Sequence, residues 1–331
     1  MKYDFTALGN ALVDLEYATD SSFFQKNQIE KGVMTLIEKD QHSSLLNALE
    51  PDFPIQKKAC GGSAANTVVT AAQYGANTFY CCKVGNDDFG MFYQKDLSAS
   101  NVSHKLAEQD DQGETGKCIV MVTDDADRTM NTYLGITAQF SKEEVCETSI
   151  KNSEYLYIEG HLVYQEKAVE GILHAKKIAR ENGVKVALTV SDPAVIKYVR
   201  PHLESVIGDD GVDLLFCNCE EATDYGNGDL QAGIASFAEK CPHIVVTEGP
   251  KGATIYQKDK PSVHIDPFSV KAVDTTGAGD TFAGAYLYAI TNGHSVEYAG
   301  ELANKTASQC VASFGPRLSK AQQDELISEF K

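Results

Sequence analysis

Short runs rich in β-branched and aromatic residues recur along the chain: "YDFTALG" (3–9), "TFYCCKVG" (78–85), "YLYIEG" (155–160), "VKVALTV" (184–190), "DLLFCN" (213–218) and "HIVVTEG" (243–249). Most are apolar at consecutive positions, as strands of a parallel sheet covered on both faces must be. Between them the apolar positions recur at helical spacing over residues 64–74, 166–181, 194–206, 231–240, 281–290 and 295–312. In "EKAVEGILHAKKIARENG", Val169, Ile172, Leu173 and Ile178 form one stripe and Asn182-Gly183 supplies the stop. Strands alternating with helices predict βαβ crossovers in a single sheet layered between helices. Two stretches break this rhythm. Residues of about 14–53 and 113–140 carry strand-like alternation with few helical signals, and predict a small extra sheet at the edge of a core made of 1–13, 54–112 and 141–331. Periodicity leaves open whether that appendage is a lid over a site or a decorative hairpin.

With 331 residues, the chain is long enough for one large α/β domain or two smaller ones. Its 29 basic and 47 acidic residues give a net charge of −18, which repels nucleic acid and anionic membrane surfaces. No run approaches the roughly 18 apolar residues of a membrane span, and "MKYDFTALGNALVD" has no basic region followed by a long apolar core. The cysteines at 60, 81, 82, 118, 146, 217, 219, 241 and 310 contain no C-x-x-C pair and fall mostly in apolar runs. They are expected to be buried reduced thiols in a cytoplasmic protein.

The chemistry concentrates in "VDTTGAGDTFAGAYLYAI". Gly277 and Gly279 precede an apolar helical pattern, so the free N–H groups of a helix amino terminus face whatever lies above them, and the helix dipole favours an anion there. No G-x-x-x-x-G-K-[ST] occurs anywhere in the chain, so this would be an anion hole without a phosphate-binding lysine. "TGAGD" also lacks the G-x-G-x-x-G spacing and lies far from the first strand, which argues against a dinucleotide-binding dehydrogenase. Asp280, in the first turn, is positioned to take a proton from a hydroxyl attacking an anion held by the loop. It is equally suited to capping the helix.

"DTTGAGDTFAGAYL" resembles the carboxyl-terminal signature of the ribokinase-like (PfkB) family of carbohydrate and nucleoside kinases. "GNALVD" (9–14), "GGSAANT" (61–67), "VGNDDFG" (84–90), "NCEEA" (218–222), "TEGPKG" (247–252) and "SFGPRLS" (313–319) extend the resemblance over essentially the whole chain. It implies a three-layer α/β/α sandwich with a mostly parallel central sheet and a small β lid. It also implies an ATP-dependent kinase acting on a primary hydroxyl with Mg²⁺, and a family that is monomeric or pairs through its lids.

By that resemblance Asp280 is the base and Gly277, Ala278 and Gly279 form the anion hole. Asp14, with Asn10 beside it, would hold sugar hydroxyls, since one carboxylate accepts two hydrogen bonds from a vicinal diol. Gly61, Gly62 and Asn66 form the second substrate element; Ser63 also suits a helix N-cap there. Asn218 and Glu221 resemble the family's N-x-x-E support for Mg²⁺ and its waters. Thr247, Gly249 and Gly252 resemble the nucleotide-binding turn, and Asn304 falls where the family lines the adenine pocket. Asp274, Thr276, Ser313, Gly315 and Ser319 resemble a monovalent-cation site, implying K⁺ beside the loop. Arg128, the only arginine of the expected lid, is expected either to reach the transferred phosphoryl group or to be a solvated charge. His161 is the one histidine expected near a substrate pocket.

For the acceptor, "GGSAANT" and "DRTMNTYLGIT" lean toward the adenosine-kinase-like branch, although no apolar or aromatic base clamp is legible. Ribose or fructose is the alternative; sugar phosphates fit less well, because the expected lid has few basic residues. A non-catalytic sugar- or nucleotide-binding regulator on the same fold is the competing class.

Overall fold

The structure, a computed structural model, describes residues 2–106, 112–123 and 128–330. Residues 124–127, inside the stretch expected to complete the small sheet, lie outside the described residues, as do 107–111 and both terminal residues.

Fourteen strands occur among the described residues: β1 (Tyr3–Leu8), β2 (Leu12–Ala18), β3 (Met34–Leu36), β4 (Ile55–Gly61), β5 (Thr78–Cys81), β6 (Ser103–His104), β7 (Gly116–Val122), β8 (Arg128–Tyr133), β9 (Ser153–Glu159), β10 (Lys185–Thr189), β11 (Leu214–Asn218), β12 (His243–Thr247), β13 (Ala253–Gln257) and β14 (Val263–Ile265). Nine of them form the large sheet in the order β14-β13-β12-β11-β10-β9-β1-β5-β6. Its strands run parallel from β6 to β12, and only the β12–β13 and β13–β14 pairings are antiparallel. The six apolar runs all lie in this sheet. One face packs Phe5, Tyr157, Phe216 and Val245 against Val68, Phe282 and Tyr286, while the other packs Leu156, Ile158, Leu188 and Leu215 against Ile172, Val195 and Phe237. This double cover is why these strands show no polar face.

The remaining strands form the small sheet, β3-β8-β7-β2-β4. It is the ribokinase-like arrangement of a large, mostly parallel sheet with flanking helices beside a smaller sheet. Two details depart from the sequence reading. Strand β4, at 55–61, joins the small sheet by pairing antiparallel with β2. The stretch 14–53 is not all strand, because it folds into helices Ser21–Asn27 and Lys39–Leu49. Their starts were written in the sequence, since Asp20 caps the first helix and Glu38 forms a capping box with Gln41 in the second.

Helices Ser63–Tyr74 and Ala278–Thr291 cross on the face of the sheet beneath β1. Their approach is close because Gly284 has no side chain: a Cβ there would lie 2.5 Å from the carbonyl oxygen of Thr67. This contact brings the amino ends of both helices to one point. All nine cysteines are free thiols, most of them buried. Among the described residues no helix is long and apolar enough to cross a membrane.

Candidate active site

The carboxyl ends of adjacent parallel strands open into one cleft, the position where open α/β sheets bind ligands. Asn10 follows β1, and Glu159, Thr189, Asn218 and Thr247 end β9, β10, β11 and β12; all five line a cavity of about 490 Å³. Asp14, Gly62, Ser63, Asn66, Glu221 and Gly277–Asp280 line it as well. A second cavity of about 500 Å³ is lined by Gly249, Pro250, Gly252, Phe268, Asn304 and Val311. The two cavities share Thr247, Thr275, Ala278, Gly279 and Phe282. The amino terminus of one helix therefore forms a common floor.

Glycines shape that floor. Gly277 caps helix Ala278–Thr291 at φ 75°, a left-handed conformation that side chains resist, and a Cβ on it would lie 2.3 Å from the Pro316 carbonyl oxygen. Gly279 has open space where its Cβ would be, which leaves the first-turn amides accessible to an anion. Asp280 sits half-buried beside them. Its Oδ1 accepts a 2.6 Å hydrogen bond from Ser63 Oγ and its Oδ2 a 2.9 Å bond from Asn66 Nδ2. Burial raises the Asp280 carboxyl, and these two donors pull it back down.

One expectation changes here. Ser63 does not cap its helix: Gly62 holds the N-cap position, at φ 102°, and the Ser63 hydroxyl is spent on Asp280. Asn66, which lines the cavity, also accepts at Oδ1 a 2.6 Å hydrogen bond from Arg317 Nε. Arg317 in turn donates to Asp96 at 2.8 Å. Sequence reasoning missed Arg317, although it lies inside "SFGPRLS", because nothing local couples it to residues 251 positions away.

Asp14, on β2, faces the cavity, and Gly61, diagonal to it on β4, makes room for it: a Cβ on Gly61 would sit 2.4 Å from Asp14 Oδ2. Burial, with Glu16 nearby, pushes the Asp14 carboxyl up to about 7, against the opposing charges of Arg317, Arg128 and Lys57. Asn10 is fixed by Glu159, another residue that the sequence reading missed. Its Nδ2 donates to Glu159 Oε1 at 2.9 Å, and Ala64 N donates to Glu159 Oε2 at 2.9 Å. The available signal was a carboxylate ending an apolar strand, "YLYIE", which a covered sheet tolerates only with partners. His161 lines the same cavity.

Between about pH 4 and 7 the folded chain keeps a proton on Asp14 that the unfolded chain releases, so this residue lowers stability as pH rises through that window. Asp14→Asn is therefore expected to raise Tm at pH 8 by roughly 2–4 °C. If Asp14 holds the hydroxyls that the sequence resemblance implies, the substitution should also raise the KM for that ligand roughly 10- to 100-fold through loss of charge-assisted hydrogen bonds. The same KM in the native chain should then fall as pH rises through about 7. A pH-independent KM would remove Asp14 from acceptor binding.

The small sheet supplies the upper wall. Alternation puts Leu12 and Asp14 of β2 on the face that also carries Cys118, Met130 and Thr132, with Met34 and Leu36 beyond them, and all of these line the cavity. Among the described residues, those that the small sheet contributes to the cavity include no aromatic ring.

Asn218 and Glu221 form the capping box of helix Cys219–Tyr225: Asn218 N donates to Glu221 Oε2 and Glu221 N to Asn218 Oδ1, both at 2.8 Å. Burial raises Glu221 to about 8. Hard oxygen donors lining the cleft that shares the amide floor suit a hydrated divalent cation, and a nearby cation would reverse that shift. No group of three or more metal-ligating side chains occurs among the described residues, so any Mg²⁺ would rest chiefly on phosphate oxygens and water. In the second cavity Gly252, at φ 95°, packs against Ile265, and Asn304 Nδ2 donates to the carbonyls of Ile265 and Asp266 at 3.2 and 3.1 Å. Asn304 thus shapes the cavity wall.

Only part of the expected monovalent-cation set comes together: Asp274, Thr276 and Gly315 meet, and the side chains of Ser313 and Ser319 are engaged elsewhere. Ser319 is exposed and caps helix Lys320–Glu329, and Ser313 Oγ bonds back to Gln309. The Asp274 carboxylate is ringed by donors: Thr276 N on Oδ1 at 3.0 Å, Gly315 N on Oδ2 at 2.7 Å, and the Arg128 guanidinium in direct ion contact with Oδ2. Arg128 is accordingly not a solvated charge. These residues do not fit a monovalent metal ion.

Two cavities that share a floor of helix amides, with a carboxylate at one edge, define an enzyme that transfers a phosphoryl group to an alcohol. The chain belongs to the pfkB family of carbohydrate kinases, whose family model matches residues 35–323. It is similar to the ribokinase of Staphylococcus aureus (strain COL), 26% identical over 276 residues covering 80% of this chain and 86% of that one. The adenosine kinase of Sinorhizobium meliloti is 31% identical with a TM-score of 0.89, covering 99% of this chain and all of that one. A probable sugar kinase from Rhizobium etli CFN 42 is 29% identical with a TM-score of 0.91, covering 100% and 99%.

Proposed function

We propose that the chain is an ATP-dependent ribonucleoside kinase, phosphorylating the primary hydroxyl of an adenosine-like acceptor. The observation that carries this reading is the make-up of the 490 Å³ cavity: the diol-binding carboxylate Asp14 lies beneath an apolar wall of Met34, Leu36, Met130 and Leu134, with Asp280 at the floor. A free sugar offers such a wall nothing to bury, whereas a sugar carrying a flat base covers it. ATP lies in the second cavity, its adenine between Pro250, Phe268 and Val311 and its γ-phosphate over Ala278 and Gly279. Glu221 and Asn218 would hold Mg²⁺ through its waters, and the ion would supply charge neutralisation on the phosphates.

Asp280 accepts the proton of the acceptor hydroxyl as its oxygen bonds to the γ-phosphorus, and the bond from that phosphorus to ADP breaks. Ser63 and Asn66 fix the carboxylate, and the first-turn amides hold the charge of the moving group.

Purified protein assayed for ATP consumption is expected to prefer adenosine to ribose or fructose in kcat/KM by roughly 100-fold, about 2.7 kcal/mol, for the buried base. A preference for ribose or fructose would replace this acceptor. Turnover of no alcohol would reopen the catalytic reading.

A further inference from the structure

The ion contact between Arg128 and Asp274 joins the two halves of the molecule. Arg128 opens β8 of the small sheet, and Asp274 stands in the loop just before Gly277. Both side chains are almost fully buried, at 8% and 1% exposure. The Phe314 ring lies under the guanidinium, 4.9 Å from its carbon, an arrangement that suits a planar cation better than an ammonium. Arg128 charge also favours the ionised forms of Asp14 and of the buried Glu16. Asp274, for its part, organises the floor: through Thr276 N and Gly315 N it ties the phosphate loop to the segment that packs on Gly277. A buried carboxylate this close to a phosphate site needs a counter-charge before an anion can bind.

We infer that Arg128 is the built-in counter-cation of the phosphate loop, filling the role of a monovalent metal ion and arriving only when the small sheet is seated on the core. It is a positioning residue, acting through Asp274 on the amides of Ala278 and Gly279. Two consequences follow. The enzyme needs no K⁺, and order in the phosphate loop depends on the seating of the sheet that binds the acceptor. The inference rests on the kinase reading only for the identity of the anion.

The test uses the full chain in nitrate salts, with Tl⁺ followed by thallium-205 NMR as a K⁺ probe and an unhydrolysable ATP analogue with Mg²⁺ followed by calorimetry. Wild type is expected to show no saturable Tl⁺ binding, and analogue affinity equal within about twofold in potassium and tetramethylammonium nitrate. Arg128→Gln, its fold checked by Tm, should bind Tl⁺, and should lose about tenfold in analogue affinity in tetramethylammonium, recovering most of it in potassium. Arg128→Lys keeps the charge and should remain indifferent to the salt. Saturable Tl⁺ binding by wild type, with tighter analogue binding in potassium, would overturn the inference. If Arg128→Gln does not fold, the wild-type titrations decide alone. If wild type binds no nucleotide in any salt, the kinase reading falls, while the Tl⁺ comparison still decides this one.

Discussion

Asp280→Asn is expected to lower kcat by roughly 10³-fold or more while leaving ATP affinity within about threefold. The substitution is isosteric, and its partners can adapt: the Ser63 hydroxyl, now a donor at 2.6 Å, can turn and accept from the new amide while Asn66 still donates to the remaining oxygen. What disappears is the ability to take up the acceptor proton. Because burial raises this carboxyl in the folded chain, the native residue draws stability down as pH rises above its ordinary value of 3.8, so the variant should melt no lower than wild type at pH 8. A catalytic loss with unchanged nucleotide binding and undiminished Tm would separate chemistry from folding. Near-wild-type turnover would mean that another group takes the proton.

The second large effect comes from a contrasting pair in the same loop. Gly277→Ala combines a left-handed residue with a Cβ 2.3 Å from the Pro316 carbonyl oxygen and 2.7 Å from its Cα. It should cost about 1–3 kcal/mol of stability and, by displacing the amides, roughly 10²–10³ in kcat. Gly279→Ala meets nothing within 4 Å, so the fold should tolerate it and its helix should gain slightly. Its methyl group would nonetheless stand in the shared floor, and kcat is expected to fall roughly 100-fold with Tm unchanged. Full activity in Gly279→Ala would move the phosphate away from this turn. Stability curves and steady-state kinetics on the two variants together distinguish a strained backbone from an obstructed site.

Sequence periodicity was most informative where burial is uniform. The strands of the large sheet and the helices that cover it carry their environment residue by residue: Leu156 and Ile158 are buried as fully as Tyr157 between them, so an apolar run reads correctly as a covered strand. The small sheet was less legible. One face of β2 is half-open to the cavity, with Leu12 and Asp14 partly exposed, and β4 is exposed over most of its length, so neither has a strong pattern. The helices at 21–27 and 39–49 are short, and their cap signals competed with apparent alternation.

At the site, glycines and acids adjacent in sequence were legible because backbone geometry there is local. Gly277 needs its φ of 75° whatever lies elsewhere. The long-range pairings were not legible. Asn66 meets Asp280 across 214 residues, and Arg128 meets Asp274 only because one sheet packs on another, so a cation-site motif read alone points to a free ion where the fold supplies a guanidinium. Glu159 was hidden for the opposite reason: it sits at the end of a run whose hydrophobicity drew attention to the strand and away from its last residue.

The chain passes between the two sheets four times, at residues 9–11, between Gly61 and Ser63, between His104 and Gly116, and just after Tyr133. Three of these crossings hold Asn10, Gly62 and Leu134, all of which line the acceptor cavity. Any rocking of one sheet over the other must be absorbed at these crossings, so three of the four would move residues that line this cavity. The same economy bears on descent. On the function proposed above, a small sheet exchanged for that of another family member would bring, in one piece, its own diol carboxylate, its own wall for the aglycone and its own answer to the charge of Asp274, while Asp280 and the second cavity stayed behind.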